Sequence, residues 1–373
     1  MTRKAKETKA GRVSMHDLMK LVNKKAGREV AHDLTTDNPT SVKEWIPTGS
    51  RWLDSIVCKG HLGGIPVGKI TEIAGLQSTG KSYMAAQIAA NAQKQGKIVV
   101  YFDSESAIDP DFLSRAGCDL ESLMYVQASS VEFVLETIEE LLGAAEDPLV
   151  FIWDSLALTP SISDVEGDFN PQSSVATKAR ILAKGMSKLV IPIADQKATF
   201  IVLNQLKTNI PQGPMARQIA MTTPYVTPGG KAMHYSYSLR IWLTGRKSKA
   251  AAVVDEKGFK IGSEVKVKLE KSRFGTEGRN CTFRILWGTQ EIGIQDEESW
   301  FDAIKGSKHM KSAGSWYTMT VGDYSKKFQP SKWTELVKSD EEFRGRVLEL
   351  MEIEVIQKFN NREGNAADFY EIE

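Results

Sequence analysis

Residues 75–82 read GLQSTGKS, the pattern G-x-x-x-x-G-K-S. Such a loop wraps its backbone N–H groups around phosphate oxygens, and a helix starting at its end adds a favourable dipole. Gly75 and Gly80 allow the close approach, Lys81 can reach the β- and γ-phosphates, and the Ser82 hydroxyl can bind Mg²⁺. Gln77, Ser78, Thr79 and Tyr83 complete the candidate nucleotide contacts. An acid at the end of an apolar strand, Asp154 in FIWDS (151–155), is placed to hold the same cation. Glu105 lies just past the strand in YFDSE (101–105), where it can polarise a water aimed at the γ-phosphate. Gln205, closing the strand 199–205, can contact that phosphate from the next strand. The chemistry implied is nucleoside triphosphate hydrolysis with ATP and Mg²⁺ as the cofactors. The competing readings are a chance glycine turn, a solvated loop acid and a strand-end amide.

The elements that must position these groups alternate. VGKITEIAG (67–75) reads as a strand running into the loop, and 81–96 as an Ala-rich helix ended by glycine. Strands are expected at 97–105, 148–155, 199–205, 238–245 and 264–272. Helices are expected at 129–146 and across most of 178–198. Strands separated by helices require crossovers, hence a largely parallel sheet in an α/β fold. Before this core, residues 14–26 form an amphipathic helix capped by Ser14 and ended by Gly27. It can pack on its own chain or on a neighbouring subunit. Past residue 300 the elements shorten, and 340–361 reads as a charged amphipathic helix. The expected division is an N-terminal segment (1–45), an ATPase core (46–295) and a small C-terminal α/β domain with a tail (296–373).

Composition narrows the class. The 373 residues are 41% hydrophobic and 25% charged, with a formal net charge of +1. No global basic field announces nucleic acid, so any such binding rests on local patches. The three cysteines form no C-x-x-C pair and suggest reduced thiols in a cytoplasmic protein. No apolar run is long enough to span a membrane, and the basic N-terminus has no apolar run behind it to make a secretory signal. That terminus reads as a disordered arm, or as an arm touching DNA.

Beyond single motifs, IPTGSRWLD (46–54), GGIPVGKITEIAGLQSTGKS, FDSESAIDPDFLSRAG, WDSLALTP, VEGD, NQLKTNI, TPGGKAMHYSYSLRI and VKLEKSRFG (267–275) occur in one order. Together they resemble the RecA-family recombinases of bacteria and phages over roughly residues 45–320. The resemblance implies a RecA-like core and a role for each matching residue. Glu105 matches the catalytic glutamate, and Asp109 and Phe112 match the pair that holds adenine, Phe112 standing where tyrosine is usual. Gln205 matches the γ-phosphate sensor. Lys271 and Arg273 match two lysines that reach the neighbouring subunit's ATP, which implies an active site completed only in a helical homo-oligomeric filament. DNA contacts are implied in two loops, 164–174 and about 206–228. Lys207, Ile210 and Arg217 belong to the second, Gly229 and Gly230 close it, and Arg180 follows the first. Ile210 matches a residue that wedges between bases. The departures are Gln77 for an acidic residue, Ser187 for a DNA-contacting arginine, Arg273 for lysine, a poor match at the polymerisation segment 27–34, and no long acidic tail.

The implied function is a DNA-dependent ATPase that coats single-stranded DNA, searches double-stranded DNA for homology and exchanges strands. A single-strand-binding protein and a loader are the implied partners. The rival readings are a mediator or DNA-binding paralogue with weak ATPase, and a ring helicase. The helicase should lack TPGGKAMHY and carry a separate primase-interacting domain. A small-molecule kinase fits least, since nothing resembles an acceptor pocket.

Overall fold

The computed structural model describes residues 13–36, 38–167, 175–210, 224–245, 251–288 and 292–357. The chain divides into two compact units, residues 1–41 and 42–373. In the first, α1 (Met15–Ala26) starts at Ser14, whose hydroxyl accepts from the Asp17 N–H, and stops at the left-handed Gly27. The following residues, 28–33, adopt no regular element. Instead the Asn23 amide oxygen accepts from the N–H groups of Val30 and Ala31, both at 2.8 Å.

In the second unit, β1 (Trp45–Ile46), α2 (Arg51–Val57) and β2 (Ile65–Pro66) lead into β3 (Ile70–Gly75). Alternation then follows through α3 (Lys81–Lys94), β4 (Ile98–Asp103), α4 (Pro110–Arg115), β5 (Leu123–Gln127), α5 (Val131–Ala144) and β6 (Leu149–Asp154). Next come α6 (Ile162–Glu166), α7 (Val175–Asp195), β7 (Thr199–Gln205), β8 (Lys207–Thr208), β9 (Tyr225–Val226) and α8 (Lys231–Ser236). Antiparallel strands β10 (Leu239–Gly245), β11 (Ala252–Val254), β12 (Lys260–Ser272), β13 (Asn280–Leu286) and β14 (Gly293–Gln295) complete the sheet.

The central sheet has ten strands in the order β14-β13-β12-β10-β3-β7-β6-β4-β5, with β11 on β12. From β10 to β5 neighbouring strands run parallel. From β10 to β14 they run antiparallel. The parallel strands β3, β4, β6 and β7 are buried on both faces, which explains why they read as continuous apolar runs, while the parallel edge strand β5 is largely exposed. One face packs on α3, around Met84, Ile88, Ile152 and Leu203. The other packs on α5 and α7, around Phe151, Trp153, Leu182 and Phe200. Parallel strands bring their C-terminal ends to one edge, and there the loops after β3, β4, β6 and β7 meet.

The antiparallel extension exceeds the sequence expectation. β12 starts at Lys260 rather than at 264, and β13 and β14 were not foreseen. Their alternating burial carries a weaker apolar signal than the parallel strands do. Beyond them, α9 (Asp296–Ile304), the meander β15 (Met310–Ala313), β16 (Trp316–Val321) and β17 (Tyr324–Phe328), α10 (Trp333–Ser339) and α11 (Glu341–Met351) enclose a further cluster that includes Trp300, Met319, Phe328, Trp333 and Phe343. The helix expected over 340–361 ends its α-helical part at Met351.

Candidate active site

The loop between β3 and α3 turns at Ser78 and Gly80, whose φ angles are 58° and 82°. The left-handed φ of Gly80 favours glycine, and a Cβ there would stand 2.4 Å from Ile285 Cδ1, so that side chain would have to move as well. The buried Thr79 closes the turn by donating its hydroxyl to the Leu76 carbonyl at 2.8 Å. Lys81 folds back over the loop and donates to the same carbonyl at 3.1 Å. Burial lowers its pKa, while Asp154 and Glu105 oppose that shift.

Glu105 and Asp154 arrive on neighbouring strands. Register pairs Asp103 with Asp154 across β4 and β6, so each strand delivers a carboxylate at the same level. Glu105 sits in an exposed turn that Asp103 builds. The buried Asp103 carboxylate accepts from the N–H groups of Glu105, Ala107 and Ile108 at 2.8, 3.1 and 3.2 Å, and from the Tyr125 hydroxyl at 3.1 Å. Ser155 donates to Glu105 Oε1 at 3.0 Å. Asp154 is itself buried, which raises its pKa, and two hydroxyls offset the rise by donating to Oδ2: Ser82 at 2.8 Å and Tyr101 at 2.9 Å. Ser82 and Asp154 are hard oxygen ligands, the kind magnesium takes alongside phosphate oxygens and water, so the residues present fit that ion. Among the described residues no cluster of three or more His, Cys, Asp or Glu side chains could hold a metal alone.

These groups face one cavity of about 1030 Å³, lined by the loop residues together with Glu105, Asp154, Gln205, Lys260 and Trp287. A neighbouring hollow of about 280 Å³ shares Ser82, Tyr83, Glu105 and Asp154 and adds Ile108 and Phe112. Phe112 meets Tyr83 edge-on at 4.6 Å, and Trp287 stands 6.4 Å from Tyr83 on its other side. Lys260 lies over the Trp287 ring at 5.3 Å. Asp109 caps α4 through the Asp111 N–H and lines neither hollow. Asp103, Tyr101, Ser155, Lys260 and Trp287 were not singled out from sequence. Asp103 could have been found, since a buried strand ending in Asp before a small-residue turn is a turn-building signal.

A family model of the RecA N-terminal domain matches residues 13–293. The chain belongs to the RecA family. It is 32% identical over 282 residues to Protein RecA of Bifidobacterium breve, covering 76% of this chain and 67% of that one. Against Protein RecA of Fusobacterium nucleatum the figures are 32% over 307 residues, 82% and 75%. Against that of an Arthrobacter species they are 32% over 277 residues, 74% and 73%. Membership makes the chain a DNA-dependent ATPase of recombination and repair, in preference to the mediator and helicase readings.

The remaining residues matched to the RecA family lie away from the loop. Lys271 pairs with Arg240, and Arg240 with Glu72, three residues before Gly75 on β3. Lys271 is therefore about 10 Å short of the phosphate loop along the strands, and two strands aside. It donates to the His234 carbonyl at 2.5 Å, and Arg273 to the Tyr235 carbonyl at 2.7 Å. Neither lines the cavity. The same region holds a buried ion pair, Arg240–Glu72 at 2.6 Å. Arg240 also donates to Thr227, and Asn204 bridges Glu72 and the Pro228 carbonyl, so the end of β7 is tied to residues 227–228.

Of the DNA candidates, Lys207 is exposed on β8, which pairs with β9 to form a short neck, and Ile210 is 79% exposed just past it. The second loop thus has a paired root in β8 and β9. Gly229 and Gly230 precede α8 directly. Arg180 and Ser187 are exposed on α7. The start of the first loop is helical, because Ser161 and Asp164 form a capping box for α6. Residues 168–174 and Arg217 lie outside the described residues. Among the described residues no helix is long and apolar enough to cross a membrane.

Proposed function

We propose that the chain binds ATP with Mg²⁺ at the 75–82 loop, polymerises on single-stranded DNA, and hydrolyses ATP between protomers. The observation carrying this reading is the separation just described. Lys81, Ser82, Glu105, Asp154 and Gln205 share one cavity, while Lys271 and Arg273 stand at a different level of the sheet, outside it. A cation pair that cannot reach its own nucleotide is suited to a neighbour's.

Within the site, Lys81 would leave its loop carbonyls for the β- and γ-phosphates. Glu105, steadied by Ser155, would orient and deprotonate the attacking water. Mg²⁺, held by Ser82 and through water by Asp154, would neutralise charge on the phosphates. Tyr83, Phe112 and Trp287 supply faces for the base, with Asp109 at the rim. Gln205 would touch the γ-phosphate, and Asn204 beside it is hydrogen-bonded to the root of the second loop. That path would let ATP and DNA sense one another. Lys271 and Arg273 would stabilise transition-state charge on the adjoining protomer.

DNA would be held by Arg180, Lys207, Arg217 and the backbone at Gly229–Gly230, with Ile210 between bases. Contacts of this kind are blind to sequence, so base pairing with a double-stranded partner would supply homology. Segment 1–45 would serve assembly, 46–295 catalysis and 296–373 a separate accessory role. A single-strand-binding protein and a loader would act with it in the cytoplasm.

ATP hydrolysis with and without single-stranded DNA tests the proposal, alongside Glu105→Ala. The expected result is strong stimulation by DNA that the variant abolishes while keeping ATP-dependent DNA binding. Single-stranded DNA binding that is equal with ATP, ADP or no nucleotide would overturn it.

A further inference from the structure

Tyr101 sits on β4, one strand in from the sheet edge, with its ring fully buried, yet its hydroxyl is spent on a site residue. It donates to Asp154 Oδ2 at 2.9 Å, the same oxygen that takes the Ser82 hydroxyl at 2.8 Å. The two donors differ in what they can do next. Ser82 opens α3 at the cavity wall and is free to rotate toward a cation. Tyr101 is fixed by its strand and by the core around it, and cannot follow. Once Ser82 turns away, the tyrosine is the remaining side-chain donor on a carboxylate that is only 6% exposed. A buried carboxylate that has lost its donors is free to rotate, and a carboxylate turned out of line is a weaker cation ligand.

We propose that Tyr101 is a positioning residue that sets the divalent-cation dependence of nucleotide binding, by holding the Asp154 carboxylate in one orientation. This rests on the Mg²⁺–ATP reading of the site. The bland alternative is an aromatic core residue for which phenylalanine would serve equally well.

Tyr101→Phe removes one oxygen and retains the ring. In the full chain, binding of a fluorescent non-hydrolysable ATP analogue is followed through a Mg²⁺ titration, and again in EDTA. The expected result is a Mg²⁺ midpoint raised roughly ten-fold or more, the usual scale for losing a partner behind a metal ligand. Affinity in EDTA and the thermal midpoint should hold. In an Asp154→Asn background the Tyr101→Phe change should vanish, which separates a route through Asp154 from a folding defect. An unmoved Mg²⁺ midpoint overturns the proposal and leaves the site reading intact. Equal losses with Mg²⁺ and in EDTA also overturn it, assigning Tyr101 to the core. A wild-type chain that binds the analogue with no Mg²⁺ dependence overturns the proposal together with the cation assignment beneath it.

Discussion

Lys81, Ser82, Asp154, Glu105 and Gln205 could be read from the sequence because each belongs to a short contiguous pattern whose geometry is local. A loop followed by a helix, or a strand ending in an acid, carries its own placement. Trp287 and Lys260 carry none. They reach the cavity because β12 and β13 fold back antiparallel beside β10 and β3, so their position depends on pairings over about two hundred residues of chain. Their distance from the loop in sequence hid them. If Trp287 faces the base, Trp287→Ala should weaken ATP and ADP equally, by about ten-fold for the loss of one stacked aromatic contact. Equilibrium titration with both nucleotides checks this. A loss confined to ATP would place the ring at the phosphate end instead.

Among the elements, the buried parallel strands β3, β4, β6 and β7 were legible, whereas the edge strand β5 and the antiparallel β11, β13 and β14 were not. Strands covered on both faces read as apolar runs, and a half-covered strand such as β13 alternates buried apolar residues with polar ones, a shorter and weaker signal. The contact between α2 and α9 was equally invisible, since it joins residues far apart. There the Asp54 carboxylate is completely buried and accepts from the Thr48 N–H and hydroxyl, and Asp296 accepts from the Arg51 N–H. Burial pushes Asp54 up to about 8 and Asp296 up to about 6, and each acid's proximity to other acids adds to the rise. A carboxyl raised in the folded state binds more protons there than in the unfolded chain. Its contribution is fully present below about pH 4 and fades as pH rises through the folded value. The thermal midpoint should therefore fall between about pH 4 and 8, with the nearby Arg51 opposing the shift at Asp54. Asp54→Asn should flatten that fall, and melting curves across the range would show it. An unchanged slope would mean the loss arises elsewhere.

For the whole molecule, the trans arrangement is a proposal that rests on family resemblance and on strand register. Lys271 stands about 10 Å short of its own phosphate loop along the strands and two strands aside, and neither it nor Arg273 lines the cavity. Chains carrying Glu105→Ala and chains carrying Lys271→Ala with Arg273→Ala should each be nearly inactive alone. Mixed in equal amounts on DNA, they should recover up to about a quarter of the wild-type rate. That is the share of head-to-tail junctions joining an intact cation pair to an intact glutamate. No recovery would mean that the cations act within one chain.

The hydrogen bonds of Lys271 and Arg273 to the carbonyls of α8 carry that arithmetic further. In a lone protomer both cations already have acceptors, so they have no need to seek phosphate unless a neighbour presents one. The last protomer in a row has no such neighbour on one side. A row of n protomers then contains n − 1 finished sites, and hydrolysis per chain climbs with the length of the row before levelling. Short rows, which cannot yet span enough DNA to test a sequence, would turn over slowly. Long ones would run near full speed. With Lys271 at the end of β12 and Arg273 in the turn after it acting in trans, turnover would become a gauge of how much DNA is covered.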